Sequence, residues 1–155
     1  MSTFTGSLVI EEVVPGRRWR LREPLRYEAG AKGSGFVIEV PAGFETDGAT
    51  LPVVLRLVLA VWGTYGRAAC IHDYLYSLIR AGEHAKPNLL GSVTMGRVFE
   101  GLEYQRGVPT TDVRVARAWA DNEFYLAMRA CGTRPSLAWL MWAAVRLFGR
   151  RYIAD

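Results

Sequence analysis

The run His72-Asp73-x-x-Tyr76 carries the strongest chemical signal in the chain. It lies within AACIHDYLYSLIR, where Ala68, Ile71, Leu75, Leu78 and Ile79 recur at the spacing of an apolar helix stripe. At about 100° per residue, His72 and Tyr76 share one face and Asp73 points a quarter-turn away. His72 sits at the edge of the stripe, so it is expected to be half-buried, with ring nitrogens that need partners. A second helix, expected over about 111–131, offers one. Its stripe is Val113, Ala116, Ala120, Phe124, Ala127 and Cys131, and Asp121 stands at the border beside Arg117, Tyr125 and Met128. Packing stripe to stripe would bring Asp121 to His72. A carboxylate that holds one imidazole nitrogen leaves the other free to act as a general base. Asp73, directed towards solvent or a loop, would then be free to bind a hard cation through oxygen. The competing reading is a purely structural His-Asp hydrogen bond.

A second motif is Phe44-Glu45-Thr46-Asp47-Gly48-Ala49-Thr50-Leu51-Pro52. Asp47 could cap a following helix, or it could complete a cation site together with nearby backbone carbonyls. His84 has no patterned neighbour and reads as an exposed loop residue. Cys70 falls outside the apolar stripe of its helix and Cys131 ends the next one, and neither has a cysteine at zinc-ligand spacing. There is no phosphate-cradling loop, dinucleotide fingerprint or Gly-x-Ser-x-Gly elbow.

The elements that must position these residues divide the chain in two. Residues 4–46 read as strands in three runs, LVIEEVV, RRWRLREPLRY and GFVIEVPAGF, each broken by Gly or Pro. Arg18, Arg20 and Arg22 alternate with Trp19 and Leu21, so the arginines share one face, either as a solvated surface or as a basic ribbon for phosphate or an acidic partner. After Pro52 the pattern becomes helical: VVLRLVLAVW ending at Gly63, the His72 helix from Gly66, the Asp121 helix stopped by Gly132, and a last helix from Pro135 to Gly149. Residues 83–109 are Gly-rich and form either a hairpin over VTMGRVFEGLEYQ or a long loop. The expected architecture is α+β in a single domain of 155 residues, with a small N-terminal antiparallel sheet over 1–50 and a body of about four helices over 51–155, an insertion at about 83–110 included.

Half of the residues are hydrophobic and 22% are charged, which argues for a packed fold and against disorder. The net charge of +4 permits an acidic or phosphate-bearing partner, yet no reading helix points to sequence-specific nucleic-acid binding. Two cysteines make no disulfide framework, which fits a reducing compartment, and MSTFTGSLVI lacks the basic start of a secretory signal. SLAWLMWAAVRLF is interrupted by Arg146 and is shorter than the roughly 20 apolar residues a membrane span needs, so it reads as a packed terminal helix or an interfacial anchor.

VPAGFETDGATLP, AACIHDYLY, ARAWADNEFYLAMRACG and the closing AVRLFG resemble, in this order, domain-of-unknown-function family 1353. The resemblance extends over nearly the whole chain, with residues 83–109 standing out as longer than the family leads one to expect. It implies a phage or prophage product, made in the bacterial host cytoplasm and often encoded near structural or lysis genes. The His72 helix is, more distantly, similar to the active-site helix of calcium-dependent secretory phospholipases. That likeness implies His72 as the base, Asp73 as a calcium ligand, Asp121 as the orienting carboxylate and Tyr76 as its hydrogen-bond partner. The chain departs from it in having Ala68 and Ala69 where helix cysteines are expected, and in lacking a clear glycine-rich calcium loop. Only Trp62-Gly63-Thr64-Tyr65-Gly66 or the Asp47 segment could replace that loop.

Three functions follow as expectations. The foremost is a virion-associated or assembly protein, such as a tail, neck or baseplate adaptor, which contacts other virion proteins or its own copies and uses the His-Asp helix as a scaffold. The second is a calcium-dependent, phospholipase-like hydrolase of lipid esters at a membrane surface, which requires a cleft open above His72. The third is a host-directed factor acting through the arginine ribbon.

Overall fold

The computed structural model describes residues 1–30, 37–47, 64–81 and 113–149. Among them run six strands, β1 (Thr3–Thr5), β2 (Ile10–Val14), β3 (Arg18–Leu21), β4 (Leu25–Glu28), β5 (Val37–Val40) and β6 (Glu45–Thr46), and three helices, α1 (Gly66–Arg80), α2 (Val113–Ala130) and α3 (Pro135–Phe148). The architecture is α+β, antiparallel strands first and helices after. The count is three helices rather than about four. The run expected to supply the other, at 53–62, lies outside the described residues, as do the 83–109 insertion and His84.

The strands form two three-stranded sheets, β1-β4-β5 and β2-β3-β6, instead of the single sheet the strand runs suggested. The difference arises at Glu23-Pro24. Proline cannot donate to a ladder, so RRWRLREPLRY breaks into β3 and β4, and these two strands pair with different partners. In the first sheet Leu25, Tyr27, Ile38 and Val40 alternate inward, and the outward pair Arg26 and Glu39 sits in register with an ion pair of 2.5 Å. In the second, β3 buries Trp19 and Leu21 and turns its arginines out. Those arginines are not a free basic ribbon: Arg20 pairs with Glu45 at 2.6 Å, Arg18 with Glu45 at 3.4 Å and Arg22 with Glu11 at 3.1 Å.

Among the described elements helix α1 is central, with α2, β5 and β6 all packed against it. It is therefore buried beyond the stripe read from its periodicity. Cys70 is fully buried rather than outside the packed face, and Ala69 is buried with it. Helix α2 likewise buries a wider arc, adding Trp119, Asp121, Glu123 and Met128, whereas Val113 at its start is exposed. Its stop is as expected: Gly132 has a φ of +83°, Thr133 N–H donates to the Met128 carbonyl and Gly132 N–H to the Arg129 carbonyl, both at 3.0 Å. This is the left-handed cap that glycine takes without steric strain. Three residues after that glycine Pro135 opens α3, where a missing N–H removes no helix bond.

Candidate active site

The α1–α2 interface places Asp121, expected at a border, entirely inside, at 0% exposure. A buried carboxylate is costly unless its oxygens are met by donors, and here both oxygens are. Oδ1 accepts from the Tyr76 hydroxyl at 2.6 Å and lies 3.2 Å from His72 Nε2. Oδ2 accepts from Arg146 at 3.2 Å and lies 3.7 Å from Arg117 Nε, one turn back on α2. Arg117 also donates to the Arg146 carbonyl at 2.7 Å, which ties the end of α3 to α2. Burial pushes the Asp121 carboxyl up, but the bonds from His72 and Tyr76, the His72 charge and the Arg146 bond together outweigh it, so the group sits below the ordinary aspartate range. Burial and the neighbouring Asp121 charge push the Tyr76 hydroxyl the other way, so it remains a donor.

The tautomer of His72 follows from this arrangement. An ionised carboxylate can only accept, so Nε2 carries a proton, and in the neutral ring Nδ1 carries the lone pair. Nδ1 makes no hydrogen bond with the described residues, and His72 lines a cleft of about 340 Å³. The ring is packed between Tyr76 and Phe124, with centroids 4.2 and 4.7 Å away. His72 is 7% exposed, more buried than half, and it is among the residues that line the cleft.

Asp73 points towards the end of β6. In the β3–β6 register Thr46 stands opposite Trp19, on the buried side, and its hydroxyl donates to Asp73 Oδ2. Asp47 follows, and its carboxyl shares a hydrogen bond with that of Asp73. Burial and the Asp47 charge push the Asp73 carboxyl well above the ordinary range. These are hard oxygen donors, two carboxyls and a hydroxyl, on one wall of the cleft. Among the described residues no group of three or more His, Cys, Asp or Glu is arranged to hold a metal ion.

All five residues singled out from the sequence, Asp47, His72, Asp73, Tyr76 and Asp121, thus meet in two adjoining clusters, one about Asp121 and one about Asp73. Arg146 and Gly149 were missed. An arginine in an otherwise apolar helix signals a counter-charge, and Asp121 supplies it. Gly149 closes α3 with an ordinary φ of −62°, and it is close approach that requires glycine: a Cβ there would lie 2.7 Å from the Tyr76 hydroxyl. Also missed was a second buried carboxyl, Glu123, which accepts from Tyr27 at 2.9 Å and is raised by burial. Its spacing from Ala116, Ala120 and Ala127 put it on the buried side.

An α+β protein with a carboxylate-held histidine at an open cleft is the class these features define. The family model described as "Protein of unknown function (DUF1353)" matches residues 19–145, and the chain belongs to that family. The matched span contains all five site residues and stops just short of Arg146. No curated protein and no solved structure matches the chain.

Proposed function

We propose that the protein is a cation-assisted hydrolase of lipid esters. One observation carries this: His72 lines the cleft and is held by Asp121 through Nε2, while its Nδ1 makes no hydrogen bond to the described residues. A purely structural histidine would have both nitrogens satisfied or shielded. The cleft wall is apolar at Phe44, Ala144, Val145 and Phe148, which suits an acyl chain.

In this mechanism Nδ1 takes a proton from a water as its oxygen attacks the ester carbonyl. Asp121 keeps the imidazole oriented and offsets the charge it gains. The same proton then passes to the departing alkoxide as the C–O bond breaks, leaving an alcohol and a carboxylic acid that gives up its own proton to solvent. Asp73, Asp47 and Thr46 would hold a hard cation, calcium by donor type, with water or substrate completing its shell. When bound, that ion supplies positive charge beside the developing oxyanion.

The test pairs calorimetric calcium titration with fatty-acid release from phospholipid vesicles. Saturable binding is expected, lost in Asp73→Asn, and His72→Gln should lower turnover by about 10²–10⁴ while leaving the fold intact. Absence of calcium binding at about millimolar concentration, together with absence of fatty-acid release by the wild type, would sink the proposal.

A phage-encoded adaptor carried in the tail, neck or baseplate is the second reading. The outward apolar face of α3 favours it, as a surface for virion proteins or for another copy. The two are compatible, since a tail protein can carry an enzymatic domain, and mass spectrometry of purified particles would decide. Host binding through the arginines loses its support, because Glu11 and Glu45 already pair with them.

A further inference from the structure

Helix α3 is apolar on all sides, with Arg146 as its one charge. Its inner residues Ala138, Met141 and Ala144 are buried. Its outer stripe, Ser136, Trp139, Leu140, Ala143 and Leu147, follows helical spacing, with Trp139 59% and Leu147 73% exposed. Large side chains this open in one continuous row mark a surface that meets something apolar.

The occupant is indicated by what adjoins the stripe. Leu140, Ala144 and Phe148 lie at i, i+4 and i+8 and form one ridge, and the last two line the cleft. Phe148 is 50% exposed, so the ridge runs from the outer face over the rim and into the cleft wall. The cleft lining also includes two exposed arginines, Arg80 and Arg18, the second of them paired with Glu45. Arg80 makes no ion pair within 4 Å among the described residues, although its charge acts on Asp73, and a third exposed arginine, Arg134, precedes α3. No described helix is long and apolar enough to cross a membrane. A short helix with an outward apolar face, an exposed Trp and cations about it has the features of an element that lies in the headgroup layer.

We propose that the outer face of α3 seats the protein on an anionic lipid surface, with the cleft mouth turned onto that surface. Leu140, Leu147 and Trp139 enter the boundary between headgroups and acyl chains, while Arg80 and Arg134 meet lipid phosphates. A lipid drawn into the cleft then passes along Phe148 and leaves bulk water only briefly, which is the advantage of joining the ridge to the site. The orientation of the mouth rests on the lipid-ester reading; seating on the surface does not.

The full chain bearing His72→Gln, which leaves the lipid intact, is sedimented with vesicles of phosphatidylglycerol or of phosphatidylcholine. Binding to phosphatidylglycerol is expected, weaker on phosphatidylcholine and weakened by salt. Leu140→Glu with Leu147→Glu should reduce it at least about tenfold, with circular dichroism unchanged because both sites are exposed. Arg80→Gln should reduce the preference for phosphatidylglycerol. Absence of sedimentation, or equal sedimentation of the Leu140→Glu, Leu147→Glu variant, would overturn the proposal. So would self-association of the parent chain that this variant abolishes, since the face would then belong to a second copy. Wild-type protein that sediments yet releases no fatty acid would refute the hydrolase and leave the surface standing. Cleavage of a soluble short-chain ester without sedimentation would do the reverse.

Discussion

Asp121→Asn isolates the group on which the site depends. Asparagine keeps the shape and one carbonyl oxygen, so it can still accept from Tyr76 and His72 at the Oδ1 position. At the other position its amide turns two N–H groups towards Arg146 and Arg117, which stand 3.2 and 3.7 Å from Oδ2. A charge-assisted bond is thereby replaced by donors facing donors, and Arg117, 14% exposed, is left with little water to compensate. Removing one partner of a buried pair costs about 3–5 kcal/mol. Arg146 is 36% exposed and can be rehydrated in part, so the loss belongs at the lower end, about 3 kcal/mol. Urea denaturation at neutral pH reads it directly. The wild-type advantage should also be acid-sensitive. Asp121 is depressed in the folded state, so its contribution is present above the unfolded carboxylate value of about 3.9 and is lost as pH falls through the lower folded value. A loss below about 1 kcal/mol, or a difference between the two proteins that ignores acid, would refute the idea that an ionised Asp121 organises α1, α2 and α3.

Two further outcomes follow from single contacts. Gly149→Ala should destabilise by about 1–2 kcal/mol through the Tyr76 hydroxyl, and the penalty should shrink in a Tyr76→Phe background; an unchanged penalty there would place the strain elsewhere. Glu123→Gln should leave stability nearly unaltered in acid and raise it progressively as pH climbs past the ordinary glutamate value. Burial lifts the folded carboxyl, so its penalty grows between the unfolded and folded values, and parallel pH–stability curves for the two proteins would contradict this.

Much of the site was legible because its residues share one short helix. The spacing of His72 and Tyr76 fixes their common face whatever surrounds them, and Asp121 stands on the helix that offers the matching stripe. Depth was less legible. A stripe predicts one packed face, but α1 is covered from three elements, and this is why Cys70 and His72 are more buried than their positions on the wheel suggest. The pairing of strands escaped for a related reason: each run has strand character, yet which strand joins which depends on the break at Pro24 and on long-range contacts that local pattern does not encode. Asp47 reached Asp73 only through that pairing, since the β3–β6 register delivers the end of β6 to α1. The roles of Arg146 and Gly149 needed the third helix in position.

The dependence on α3 has a consequence for the order of events during synthesis. The ribosome releases α1 and α2 first, and with them His72, Tyr76 and Asp121. At that stage Asp121 has its histidine, its tyrosine and Arg117 for company, but Oδ2 still awaits Arg146, and the glycine that closes over Tyr76 has not emerged. The nascent chain therefore carries a half-neutralised buried carboxylate, which favours loose association of the two helices over a closed core. Arrival of the last helix supplies the final cation and the cleft wall in one step. Competence of the site is thus delayed until translation has passed Gly149, and a ribosome-bound intermediate should hold its histidine without yet holding it in place.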